Sequence, residues 1–100
     1  MSIAKRWSSF NWAKLDDVPD VYGVFELRDS TGNIIYIGEG RIQDELQIYK
    51  RSNDSCKMQA RKFRFEKTGS KERAEQRERG LLNKYKKKHG RLPRCNKRIG

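Results

Sequence analysis

The stretch from Gly23 to Gly40, "GVFELRDSTGNIIYIGEG", decides how this chain is read. Tyr22 to Arg28 is strand-like, Asp29-Ser30-Thr31-Gly32-Asn33 is a cluster of turn residues, and Ile34 to Ile37 is strand-like again. Asp, Ser and Asn favour turns because their side chains bond the nearby backbone, and Gly because it accepts positive φ. So short a connection makes the two runs an antiparallel hairpin. Side chains alternate along a strand, so Gly23, Phe25 and Leu27 should share one face, and Ile34, Tyr36 and Gly38 one face of the partner. A turn centred on Ser30-Thr31 would set Phe25 opposite Tyr36, and a slip of one residue would undo that pairing.

Beyond the hairpin, Arg41 to Arg51 reads as a helix, with Ile42, Leu46 and Tyr49 at i, i+4 and i+7. Ser52 to Ser55 breaks it. Gln59 to Lys67 reads as a third strand, with Phe63 and Phe65 on one face and Arg64 and Glu66 on the other. A long helix then opens at Gly69-Ser70 with Ser70 as N-cap, and runs to about His89. Gly90 suits the position just past its end, and Pro93 blocks continuation. Before the hairpin, residues 1–20 form an extension whose Trp7, Phe10 and Trp12 suit a short helix or an extended cover, with a turn at Pro19. The expected fold is α/β (α+β): one domain over residues 1–100 with its core at 21–96, a small three-stranded antiparallel sheet flanked by helices in the order β-β-α-β-α.

Charge is the strongest global signal, and it is uneven. Residues 1–50 carry 6 Lys+Arg against 8 Asp+Glu, whereas residues 51–100 carry 18 against 5, within a net charge of +11. A surface this basic attracts polyanions, nucleic acid first among them. An anionic membrane is a poorer fit, because the basic segment lacks the broad apolar face of an interfacial helix. No apolar run is long enough to cross a bilayer. The opening "MSIAKRWSSF" lacks the apolar core of a secretory signal, so a cytoplasmic or nucleoid-associated protein is expected rather than a secreted one. Cys56 and Cys95 have neither a CxxC spacing nor nearby histidines, which excludes a zinc signature. A disulfide is one reading of this pair, and reduced thiols are the expected one.

On a helical wheel Ala74, Leu81, Tyr85 and Leu82 form an apolar stripe about 100° wide, and Glu78 falls in its middle. A carboxylate facing a core is costly unless it is paired with a cation. Two readings fit: a partly buried ion pair to one of many arginines, or a metal or catalytic carboxylate at the rim of the sheet. A single oxygen ligand with several waters is how Mg2+ is commonly held beside phosphates.

Together these residues resemble the GIY-YIG nuclease superfamily. Gly23-Val24-Phe25 is similar to its first motif and Tyr36-Ile37-Gly38 to its second. The segment around Ala74, Glu78, Leu81 and Leu82 resembles its metal-binding helix, and Pro93-Arg94-Cys95-Asn96 resembles its closing segment. The likeness spans Val21 to Asn96. It implies metal-dependent hydrolysis of DNA, branched or nicked forms included, with Mg2+ or Mn2+ as cofactor, no small-molecule cofactor and no membrane. It also implies a set of roles. Tyr36 would stand by the attacking water or the scissile phosphate, Glu78 would hold the metal, and Asn96 would support the site. Gly38 and Gly40 would let backbone and phosphate approach closely.

Two positions depart from the family pattern. Phe25 stands where the first motif has a tyrosine, so proton transfer would pass to Tyr36 or to the water that the metal activates. Glu45 stands where the first helix carries a phosphate-clamping arginine, with Tyr49 in the place of the next aromatic or histidine. Arg41 and Arg51 are the nearest arginines. Three readings fit: a catalytically degenerate module that binds nucleic acid without cutting it, a site in which Arg41 or Arg51 has taken over, or an inactivating change at Glu45. Further DNA contacts are expected from Lys71, Arg73 and Arg77 on the outside of the long helix.

Overall fold

The computed structural model describes residue 3 and residues 6–96. Three strands and two helices build the first half: β1 (Ser8–Ser9), α1 (Trp12–Asp16), β2 (Tyr22–Arg28), β3 (Ile34–Arg41) and α2 (Ile42–Arg51). A 3-10 turn at Lys57–Gln59 leads to β4 (Lys62–Lys67) and α3 (Lys71–His89). The strands form one antiparallel sheet in the order β1-β4-β2-β3. The fold class and the element order of the core are as expected. The sheet has four strands rather than three, because Ser8 and Ser9 in the extension pair with Phe63 and Lys62 of β4.

Helices cover both faces of the sheet. On one face, α1 and α2 enclose Phe10, Leu15, Val18, Phe25, Leu27, Ile35, Ile42, Leu46 and Phe63. On the other, α3 lays Leu81 and Leu82 on Val24 and Ile37, with Ile3 joining them. Each fully buried aliphatic or Phe side chain stabilises the fold by roughly 1.5–3 kcal/mol. The helix α3 has the expected ends. Ser70 accepts a hydrogen bond from the Arg73 amide, and Gly90 closes it in the left-handed conformation at φ 78.

The hairpin register differs from expectation. Leu27 pairs with Tyr36, and Phe25 pairs with Gly38. The turn sits one step later, where Asp29 accepts bonds from Thr31 N, Thr31 Oγ1 and Asn33 N. An irregularity between Leu27 and Arg28 leaves Ile35 as an extra residue in β3. That bulge turns Ile35 toward the α2 side beside Tyr36, while Ile34 packs toward α3, so Ile34 does not share the face of Tyr36 and Gly38. The second strand also runs on to Arg41, so α2 begins at Ile42.

The expectation of reduced thiols is overturned. Cys56 and Cys95 form a disulfide with their Cα atoms 5.8 Å apart. The residues leading into the 3-10 turn bring Cys56 against the closing segment, a contact between residues 39 apart that no local pattern records.

Candidate active site

The site lies at the β3 edge of the sheet. As an edge strand β3 presents both faces to incoming groups, with Tyr36, Gly38 and Gly40 toward α2 and Ile37 and Glu39 toward α3. The closing segment covers part of that edge. Cys95 N donates to Ile35 O at 2.9 Å. The Asn96 amide then bonds both backbone groups of Ile37, accepting from its N–H and donating to its carbonyl, each at 2.9 Å. Asn96 therefore acts as one rung of an extra strand and fixes the backbone next to Tyr36.

Tyr36 and Tyr49 meet across this edge. Their ring centroids are 4.7 Å apart and their hydroxyl groups are directly hydrogen-bonded. Phe25 supports both from beneath, with ring centroids 5.7 Å from Tyr49 and 6.1 Å from Tyr36. Phe25 is fully buried, so its ring is a prop and exchanges no proton. Gly38 is buried as well. A Cβ there would lie 2.5 Å from Phe25 Cζ and 2.7 Å from Tyr36 Cε2. Gly38 is thus required by the packing of two rings. Gly40 has φ +132, which L side chains rarely adopt, and the Glu45 side chain fills the space beside it.

Three carboxylates, Glu39, Glu45 and Glu78, stand around Tyr36. Burial and the charges of Glu39 and Glu75 raise the Glu78 carboxyl to about 7, against which Arg79 acts. Burial also raises Glu39, with Glu75 adding to it, and raises Glu45, with Asp44 and Glu39 adding to it. The Tyr36 hydroxyl is pushed up by burial first and then by Glu78, Glu45 and Glu39, which places all three carboxylates within electrostatic reach of it. Tyr49 is pushed further up by burial and by its bond to Tyr36. Both phenols are therefore protonated at neutral pH.

Lys57 brings positive charge onto the tyrosine pair itself. Lys57 Nζ lies 4.3 Å from the Tyr49 ring centroid and 5.6 Å from that of Tyr36, and its charge lowers Glu45. Nothing in the spacing of the sequence marked Lys57, because it sits in an irregular connection. Glu39 was equally unmarked, although its place between Gly38 and Gly40 on the strand that carries Tyr36 was a usable signal.

The other expected residues are spread more widely. Glu45, Tyr49, Glu78 and Asn96 all gather around Tyr36. The guanidinium of Arg41 is ion-paired to Asp20 at 2.7 Å. Arg51 lies over the Trp12 ring at 5.7 Å, one wall of a cleft that also includes Tyr49. Lys71 is close enough to Glu39 to lower it, and Arg73 is exposed in the first turn of α3. Arg77 is held by Glu66 at 2.7 Å.

A divalent cation fits this donor set in one way only. Among the described residues no group of three or more His, Cys, Asp or Glu side chains converges on one point. Glu78 offers a single carboxylate made reluctant to ionise by burial and by its acidic neighbours, a state that a bound cation relieves. One protein oxygen completed by water suits Mg2+ or Mn2+ rather than a site built wholly from side chains.

Residues 1–88 match the model of a family described as a domain of unknown function, DUF7508. The chain belongs to this family. A comparison of this DUF7508 chain with curated protein sequences finds no match. Among solved structures it is similar to the GIY-YIG N-terminal endonuclease domain of UvrC from Thermotoga maritima, in two tyrosine-to-phenylalanine point mutants, each bound to its catalytic divalent cation. The first has a TM-score of 0.69 at 24% identity, covering 86% of this chain and 93% of that one. The second has the same TM-score and coverage at 22% identity. The DUF7508 chain thus has the GIY-YIG fold, and among its described residues no helix is long and apolar enough to cross a membrane.

Proposed function

We propose that this DUF7508 domain is an endonuclease that hydrolyses DNA phosphodiester bonds with one divalent cation, Mg2+ or Mn2+, held by Glu78. The observation that carries this reading is a half-buried carboxylate on the inward side of α3, within electrostatic reach of a hydrogen-bonded tyrosine pair. The bound cation would supply charge stabilisation for the phosphoryl and leaving oxygens.

The chain's own groups have separable tasks. Of the two phenolic protons, one is used between Tyr36 and Tyr49, and the other is free to bond a phosphate oxygen or the attacking water. Tyr36 can accept a proton only when positive charge beside it offsets the burial and the three carboxylates that raise it. Asn96 is a positioning residue that holds the Ile37 backbone, and through it the neighbouring Tyr36. Phe25 keeps both phenol rings in place.

A plasmid-nicking assay with Mg2+ or Mn2+ tests this reading. The wild-type chain should nick, and Glu78→Ala should abolish nicking while leaving DNA binding. Equal nicking by both would refute the role of Glu78. DNA binding with no nicking by either would support the second reading, a nucleic-acid-binding module. That reading is favoured by Glu45, an anion beside Tyr36 where the resemblance leads one to expect a phosphate clamp.

A further inference from the structure

A cleft of about 300 Å3 opens next to the tyrosine pair, lined in part by Tyr49, Lys50, Arg51, Lys57 and Arg61. Among the described residues no acidic side chain lines it. Two of its residues belong to the candidate active site as well: Tyr49, whose hydroxyl bonds Tyr36, and Lys57, whose ammonium lies over both phenol rings. Lys50 and Arg51 stand in the last turn of α2, over the Phe10 and Trp12 rings respectively. Arg61 is anchored by donating from Nη1 to the carbonyls of Met58 and Ala60. Four guanidinium groups elsewhere are matched to carboxylates: Arg41 to Asp20, Arg64 to Glu26, Arg77 to Glu66 and Arg94 to Asp29.

We propose that this cleft is the channel in which a DNA strand lies as it reaches Tyr36 and Tyr49, and that Lys57 is the cation that holds the reacting phosphate. The inference rests on the nuclease reading and deepens it. The site needs a cation on the phosphate, α2 presents Glu45 toward it, and Arg41 is engaged with Asp20. Lys57 is the side chain that brings positive charge onto the tyrosine pair from outside α2. Lys50, Arg51 and Arg61 continue that charge away from the reacting centre, as the repeating phosphates of a strand require. The strand therefore enters from the α2 side of the sheet, opposite the basic outer face of α3.

The test uses the full chain with a fluorescein-labelled 20-base-pair DNA duplex, read by anisotropy over a salt series in Ca2+, and by cleavage in Mn2+. Lys57→Gln should slow cleavage about a hundredfold or more, the scale for losing one preorganised donor at a developing charge. Lys57→Arg should retain most of the rate. The double variant Arg51→Gln/Arg61→Gln should weaken binding and reduce the salt slope by roughly 1.8, about 0.9 for each phosphate contact. Lys14→Gln, an exposed lysine on α1, sets the effect of removing one charge elsewhere. Cleft variants that bind no worse than Lys14→Gln, or a Lys57→Gln chain that cleaves like wild type, would overturn the inference. Tighter binding of an RNA of the same sequence would overturn the assignment to DNA. If wild type and Glu78→Gln are alike in Mn2+, the nuclease reading fails by itself. The anisotropy series then still decides the cleft, supporting it if the variants lose affinity and sinking it if they do not.

Discussion

Gly38 shows how much of the site one missing methyl group supports. The rings of Phe25 and Tyr36 occupy the volume a Cβ would need. Gly38→Ala should therefore displace the rings and destabilise the fold by about 1–3 kcal/mol, the range for overpacking a core. Chemical denaturation would measure the loss, and a change in tyrosine fluorescence would report the displaced Tyr36. Glu78 makes the opposite trade. Its carboxyl is raised to about 7 in the folded protein from an ordinary value of 4.5. Between those values the folded state holds a proton that the unfolded state has lost, so this group's contribution to stability falls as pH rises through that window. Glu78→Gln should raise Tm relative to wild type at pH 7.5 and change it little at pH 4.5, a comparison that calorimetry at the two pH values would make. The sequence exposed Glu78 because one helix face has a fixed period and a charge inside an apolar stripe breaks it. It hid Lys57 because an irregular connection has no period to break.

At the scale of elements, the hairpin, both long helices and the caps of α3 were legible because each is written in neighbouring residues. The register was not. The turn is set by Asp29, whose carboxylate gathers two amides and a hydroxyl and is paired with Arg94 at 2.9 Å. That last partner comes from the far end of the chain, beyond any local pattern. The same ties hold the Asp29 carboxyl at about 2, with the Thr31 hydroxyl bond the largest cause. Its stabilising contribution is therefore complete above about pH 4 and lost as pH falls through about 2. Asp29→Asn should cost about 1–3 kcal/mol at pH 7, the scale for leaving buried partners unsatisfied. The difference from wild type should narrow in acid denaturation near pH 2. β1 was equally illegible, since two serines acquire a strand conformation only from the β4 edge they meet.

At the scale of the molecule, charge and covalent connection organise different things. The basic excess of the second half splits between the cleft and the outside of α3, while carboxylates from β3, α2 and α3 collect around Tyr36. Such a bipolar surface suits a polyanion held beside a bound cation. The disulfide stabilises the whole. Replacing Cys56 and Cys95 together by Ser should cost about 2–4 kcal/mol, the range for closing a loop of this length, and thermal unfolding with and without a thiol reductant would show it.

The Cys56–Cys95 bond also divides the chain topologically. It closes a covalent ring that contains β4, all of α3 and Glu78, while Tyr36, Glu45 and Tyr49 lie on the open strand that enters the ring at Cys56. The candidate active site is therefore shared between a loop and a tail, and Lys57 and Asn96 each stand one residue from a knot of that loop. A single backbone cut between β4 and α3 would leave one connected molecule on a non-reducing gel, with Glu78 still tethered to the tyrosines.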